Sequence, residues 1–195
     1  IVKLYPSKKR ARRFIHNILL AFLPAALLGV LLHGFIKEVL FNPFVIAMAL
    51  ITGGVIIIIV ERLTREAKFE KISDIDAATA LKIGLFQAAS MIPGTSRSGA
   101  TIIGAMLLRV EKRAALEFSF FLAIPTMFGA MSFDLWQNRY FLDAENIKVI
   151  SIGFIVAFFT ALFVVKWMID FVAKNGFTIF GIYRILLGLI VLSLL

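Results

Sequence analysis

The chain has 195 residues, of which 61% are hydrophobic and only 17% charged, and it has no cysteine. With a mean hydropathy of +0.95, it is too apolar for a water-soluble monomer or a disordered chain, and without cysteine it is no disulfide scaffold. A net charge of +9 then points to basic loops that set membrane topology rather than to a nucleic-acid partner.

About 20 apolar residues are needed to cross the hydrocarbon core as a helix. Five stretches meet that length: 14–36, 41–60, 114–133, 149–165 (extending to Met168) and 177–195. The first follows the basic run Lys8, Lys9, Arg10, Arg12 and Arg13. The second opens on Pro43, where a first-turn proline is tolerated. Segment 61–76 is rich in charge and reads as a solvated loop or surface helix. The sequence begins at Ile1 and reads as a fragment or processed product.

Segment 77–108 is long enough to cross, but its centre reads Met91-Ile92-Pro93-Gly94-Thr95-Ser96-Arg97-Ser98-Gly99-Ala100-Thr101. Proline and glycine break a helix, and irregular backbone at membrane depth needs protein or a wet cavity around it. The expectation is a re-entrant hairpin: half-helix 77–92, polar tip 93–98, half-helix 99–108. The charges favour it. A hairpin that returns to its own side keeps Arg109, Lys112, Arg113, Lys166 and Lys174 with the amino-terminal basic run. It leaves Lys37, Arg139 and Lys148 outside, as the positive-inside rule requires.

Asn42-x-Phe44-x-Ile46 recurs as Asn175-x-Phe177-x-Ile179. The same offset relates the basic segment 1–13 to the acidic segment 134–146, which suggests an inverted-topology repeat. The fold expected is thus an all-α membrane domain over 1–195. It has five spanning helices and one hairpin: 14–61 would end a first repeat, 62–76 would be a cytoplasmic loop, and 77–195 would form the second repeat. The counterparts of the hairpin and of helix 114–133 would then lie upstream of Ile1.

A charged group inside a membrane segment is costly and usually functional. Arg97 stands at the tip beside Thr95, Ser96 and Ser98, and the amides of Gly99, Ala100 and Thr101 are expected to begin the second half-helix as free donors. Guanidinium, hydroxyls and a helix amino end together suit phosphate. Gly94 and Gly99 would let the backbone approach it, and Gln87, one and a half turns before the break, would face the same cavity. Glu117 is expected to pair with Arg97 or Arg184 or to cap its own helix. Arg184 is expected to brace a carboxylate or carbonyls. Lys166 and Asp170 read as an i,i+4 interfacial pair. His16 and His33 fall near helix ends and are assigned no catalysis. These residues alone leave open whether the phosphate is cleaved or carried by an anion or phospholipid transporter.

The string Gly84-x-x-Gln87-x-x-x-x-x-Pro93-Gly94-x-Ser96-Arg97-Ser98-Gly99-x-Thr101 strongly resembles the second signature of the undecaprenyl-diphosphate phosphatases, the bacitracin-resistance family. Glu117-Phe118-Ser119-Phe120-Phe121-Leu122-Ala123-Ile124-Pro125 and Tyr183-Arg184 resemble it too. The resemblance implies an enzyme of the bacterial inner membrane that removes the terminal phosphate of undecaprenyl diphosphate and so recycles the lipid carrier of peptidoglycan synthesis. It makes Arg97 and Ser96 the catalytic candidates and Ser98, Gly99, Thr101, Gly94, Thr95 and Gln87 the substrate-binding ones. It also implies a divalent cation, magnesium or calcium, and allows a homodimer; nucleic acid is not an expected partner. The family's first signature, Glu-x-x-x-Glu followed by Pro-Val-Ser-Ser and a histidine, is not found here and is expected upstream of Ile1. Its carboxylates would be the metal ligands, so this chain by itself is expected to be inactive.

Overall fold

The computed structural model of the chain describes residues 8–32, 34, 36, 40–63, 66–141 and 144–195, without the side chains of 8, 9, 141 and 144–146. His33 and Lys37 lie outside these residues, as does segment 1–7 of the basic amino terminus. Among the described residues seven α-helices follow in order: α1 Lys8–Leu31, α2 Pro43–Arg62, α3 Ala77–Ala88, α4 Arg97–Leu107, α5 Lys112–Gln137, α6 Ala144–Asn175 and α7 Thr178–Ser193. Among the described residues there is no strand, only an isolated bridge between Phe69 and Val110. The fold is all-α.

Among the described residues four helices are long and apolar enough to cross a membrane, over Arg10–Leu31, Pro43–Arg62, Lys112–Gln137 and Ile147–Asn175. The fifth expected span is the shorter α7, whose 16 residues reach about 24 Å at 1.5 Å per residue. α5 and α6 run well past the apolar limits read from sequence, because Lys, Glu and Ala at their ends are good helix formers whatever surrounds them.

Segment 77–108 folds back on itself as two short helices joined by a turn. α3 has 12 residues and α4 has 11, so each limb rises only about 16–18 Å. The chain leaves where it entered. The amides of Lys68 and Phe69 donate to the carbonyl of Arg109 at 2.8 and 3.2 Å, and Glu111 N donates to Phe69 O at 2.9 Å. Arg109 itself takes a left-handed φ of 65° to close this junction. Asp76 caps α3 by accepting from Thr79 N at 2.7 Å. Glu111 caps α5, accepting from Arg113 N and Ala114 N at 2.7 and 3.0 Å.

Loop 66–76 is more than a solvated surface. Phe69, Ile72 and Ile75 are buried in the same core as Phe14, Ile18 and Ala21 of α1, Ile83 of α3 and Phe118 and Leu122 of α5. Asn17 on α1 donates to Ile75 O at 2.8 Å, which ties the loop down before the hairpin starts. Phe14 and Phe121 pack edge to face with centroids 5.1 Å apart.

α2 and α7 lie antiparallel and very close. A Cβ on Gly54 would meet Gly181 O at 2.6 Å, and one on Gly188 would meet Ala47 O at 2.9 Å. Small residues allow backbones to approach where water supplies no driving force. At one end of this pair, Glu61 accepts from Phe177 N at 2.9 Å and Thr178 Oγ1 at 2.7 Å and pairs with Lys112 Nζ at 2.6 Å. Glu61 therefore caps α7. Asn42 caps α2 by accepting from Phe44 N at 2.8 Å, but its sequence counterpart Asn175 instead donates to Phe171 O within α6.

Candidate functional site

The tip is built by local turn chemistry. Thr95 N donates to Ile92 O at 3.0 Å, closing a turn with Pro93 and then Gly94 at its centre, and Gly94 has a φ of +88°. This is the proline-then-glycine order of a type II turn. Glycine is required twice over, since a Cβ there would also meet Ile46 O of α2 at 2.6 Å. Gly94 thus serves close contact with α2. Its carbonyl accepts from Arg184 Nη2 at 3.0 Å, and the same nitrogen donates to Ala49 O at 3.0 Å. Arg184 braces carbonyls, as expected, and Gly53 leaves the space that its guanidinium fills.

Ser96 is the N-cap of α4, accepting from Gly99 N at 3.1 Å. The helix starts at Arg97, two residues earlier than the sequence suggested, because Ser96 caps it. The amide of Gly99 is therefore capped and that of Ala100 bonds to Ser96 O at 2.9 Å. Thr101 is already in the helix, and its buried hydroxyl donates to Arg97 O at 2.9 Å. The amino-end amides left without a partner among the described residues are those of Arg97 and Ser98.

Arg97 Nη1 donates to Ser119 O at 3.0 Å and to Gln87 Oε1 at 3.5 Å. No carboxylate pairs with it among the described residues. Glu117 pairs instead with Arg113 at 3.1 Å, one turn away on its own helix. The Nε of Arg97 is buried without a hydrogen bond, so its Nε–Nη2 edge, the fork that binds two oxygens of one phosphate, has no protein partner among the described residues.

Ser96, Ser98, Gly99 and Arg184 line one end of a cavity of about 400 Å³ whose other walls are apolar, among them Leu50, Phe120 and Phe180. Thr95, Ser96, Gly99 and Arg184 also line a second, smaller cavity beside Gly53 and Phe86. The tip thus has a hydroxyl face on these cavities and a guanidinium face turned to α3 and α5. The sequence put Arg97 and the hydroxyls in one cluster; the structure sets them on two sides of one helix end. Gln87, fully buried, stands on the guanidinium side with Ser119 and Thr126. The last two were not singled out from sequence, since hydroxyls in an apolar helix commonly bond to their own backbone.

Among the described residues no three His, Asp or Glu side chains stand together to hold a metal. A guanidinium with hydroxyls is not a cation's donor set, so the described tip does not by itself fit the divalent ion that the resemblance implies. Lys166 and Asp170 form no ion pair among the described residues, and His16 is exposed on α1.

Comparison with known proteins shows the family. The family model described as bacitracin resistance protein BacA matches residues 2–190. A protein of Sinorhizobium medicae (strain WSM419) named undecaprenyl-diphosphatase is 54% identical over 184 residues, covering 94% of this chain and 69% of that protein. One of the same name from Cereibacter sphaeroides (strain ATCC 17025) is 48% identical over 196 residues, covering 100% of this chain and 73% of its own length. Undecaprenyl-diphosphatase 1 of Mesorhizobium japonicum is 51% identical over 186 residues, covering 95% and 69%. With the family model matching residues 2–190 of its 195, this chain belongs to the bacitracin resistance protein BacA family.

Proposed function

We infer that the chain is a multi-pass membrane phosphatase that hydrolyses undecaprenyl diphosphate to undecaprenyl phosphate and inorganic phosphate. The relatives' name supports this over transport of an anion or phospholipid. The observation that carries the reading at the site is the unpartnered Nε–Nη2 edge of Arg97 at the amino end of α4. A half-buried guanidinium without a carboxylate keeps its whole positive charge for an anionic ligand.

In the reaction, a water oxygen bonds to the terminal phosphorus while the bond from that phosphorus to the bridging oxygen breaks. The electron pair leaves with the lipid phosphate, which takes up one proton of the attacking water, while the other stays on the inorganic phosphate. Arg97 binds the diphosphate oxygens and stabilises the charge that grows on them, and electrostatics of this kind dominates phosphoryl transfer. The free amides of Arg97 and Ser98 add the positive end of the helix dipole. Ser96, Ser98 and Thr95 offer hydroxyls on the cavity side, and Gly99 keeps that side open. Gly94 and Thr101 hold the tip in shape. No base stands beside the Ser96 hydroxyl among the described residues, so Ser96 acts as a cap and donor. The apolar cavity next to it takes the first isoprene units of the tail, and the rest stays in lipid. A divalent cation, when bound, would neutralise diphosphate oxygens, with ligands other than these tip residues.

The antiparallel α2–α7 pair is what an inverted repeat requires of its matching helices, and it supports that reading of the two Asn-x-Phe-x-Ile strings. Placement in a bacterial inner membrane follows from the substrate. Full-length protein containing this chain, purified in detergent micelles and given undecaprenyl diphosphate, is expected to release one phosphate per lipid and leave undecaprenyl phosphate. Uptake of lipid or anion into vesicles with no phosphate release would contradict the reading.

A further inference from the structure

Behind Arg97 stands a chain of neutral polar groups that phosphate recognition alone does not explain. Gln87, fully buried, accepts from Arg97 Nη1 through Oε1 at 3.5 Å and donates through Nε2 to Thr126 Oγ1 at 3.3 Å. The Thr126 hydroxyl sends its single proton to Leu122 O at 2.7 Å. It is thus left as an acceptor towards Gln87. A primary amide has nearly the same shape either way round, and a flipped Gln87 would point two N–H groups at a guanidinium. Thr126, held as an acceptor, selects the orientation that puts the carbonyl oxygen on Arg97.

A carboxylate at this place would anchor Arg97 more strongly. It would also cancel the charge that a diphosphate needs. The other anchor, Ser119 O at 3.0 Å, is neutral as well. We propose that Gln87 and Thr126 form a charge-neutral clamp that positions Arg97 by its Nη1 and leaves its Nε–Nη2 edge, fully charged, for the diphosphate. Gln87 is then a positioning residue and not a substrate contact. The clamp rests on the reading of Arg97 as the phosphate-binding group.

The test uses full-length protein containing this chain, in detergent, with three variants and two readouts: calorimetric binding of inorganic diphosphate and turnover of undecaprenyl diphosphate. Gln87→Glu keeps the side-chain shape and gives Arg97 a partner of opposite charge. It is expected to melt no lower than the wild type and to weaken diphosphate binding about tenfold or more. Thr126→Val frees the amide to flip and is expected to lower kcat about tenfold with KM little changed, since misplacing a charge costs rate. Thr126→Ser, which restores the acceptor, is expected to lie within about twofold of the wild type. A merely structural role predicts the reverse for Gln87→Glu: a stable protein that binds diphosphate as before. That result, or a Thr126→Ser variant as impaired as Thr126→Val, overturns the clamp while leaving the phosphatase reading intact. A wild-type protein that neither binds diphosphate nor releases phosphate overturns both.

Discussion

Asp76 and Glu61 each fix the start of a helix, and only one of them could be found by reading the chain. Asp76 sits three residues before Thr79, whose amide it accepts at 2.7 Å, and this bond with that of the Thr79 side chain holds its carboxyl below the usual range. A carboxylate with a lowered folded pKa stabilises the fold above its unfolded value, near pH 4, and that contribution is lost as pH falls through the lower folded value. Asp76→Ala is therefore expected to cost about 1 kcal/mol at neutral pH, with the gap from wild type closing in thermal melts taken below about pH 4. A gap independent of pH would contradict the cap. Glu61 works across 116 positions of sequence, accepting from Phe177 N, and no local pattern reveals such a partner. In sequence it was one more charge in a charged run. Arg97 was legible for the opposite reason, as a lone charge amid a long apolar stretch.

The hairpin is the element on which the site depends. Its break was legible because Pro93 and Gly94 are local turn signals, and the structure shows them as the centre of one turn. The start of α4 was misplaced by two residues because capping by Ser96 competes with the helix-breaking reputation of Gly99. That shift changes which amides are free. The return of the chain was inferred from charge and is made by the bonds between 68–69 and 109–111. With no native cysteine, Lys71→Cys and Arg113→Cys are clean labelling positions, one on each side of the hairpin. Both are expected to react with a membrane-impermeant thiol reagent from the same face, and labelling from opposite faces would contradict the hairpin. Gly94→Ala places a Cβ 2.6 Å from Ile46 O at a positive φ. It is expected to cost more than about 1 kcal/mol and to reduce turnover, read from melting temperature and phosphate release together.

At the scale of the whole molecule, α6 sets the frame. Val172 is its only buried residue among the described ones, so nearly its entire apolar surface faces outward. Lys148 and Lys166 are 18 residues apart on it, about 27 Å along the axis, close to the thickness of a hydrocarbon core. Trp136, Arg139 and Tyr140 cluster near its start, with the Arg139 guanidinium 5.0 and 4.4 Å from the two ring centroids, as an interfacial belt requires. The spans were legible from apolar length. The tertiary pairing of α2 with α7 was not, because it rests on glycines whose meaning appears only when the facing backbone is known. The central claim is that the Nε–Nη2 edge of Arg97, which has no protein partner among the described residues, binds and activates a lipid diphosphate. The most direct measurement is phosphate release from undecaprenyl diphosphate by full-length wild type, Arg97→Lys and Arg97→Ala in detergent, with melting curves alongside. The account predicts a loss of about 100-fold or more in Arg97→Ala and a smaller loss in Arg97→Lys, which keeps the charge but not the fork, with folding intact in both. Arg97→Ala turning over undecaprenyl diphosphate at the wild-type rate would contradict it.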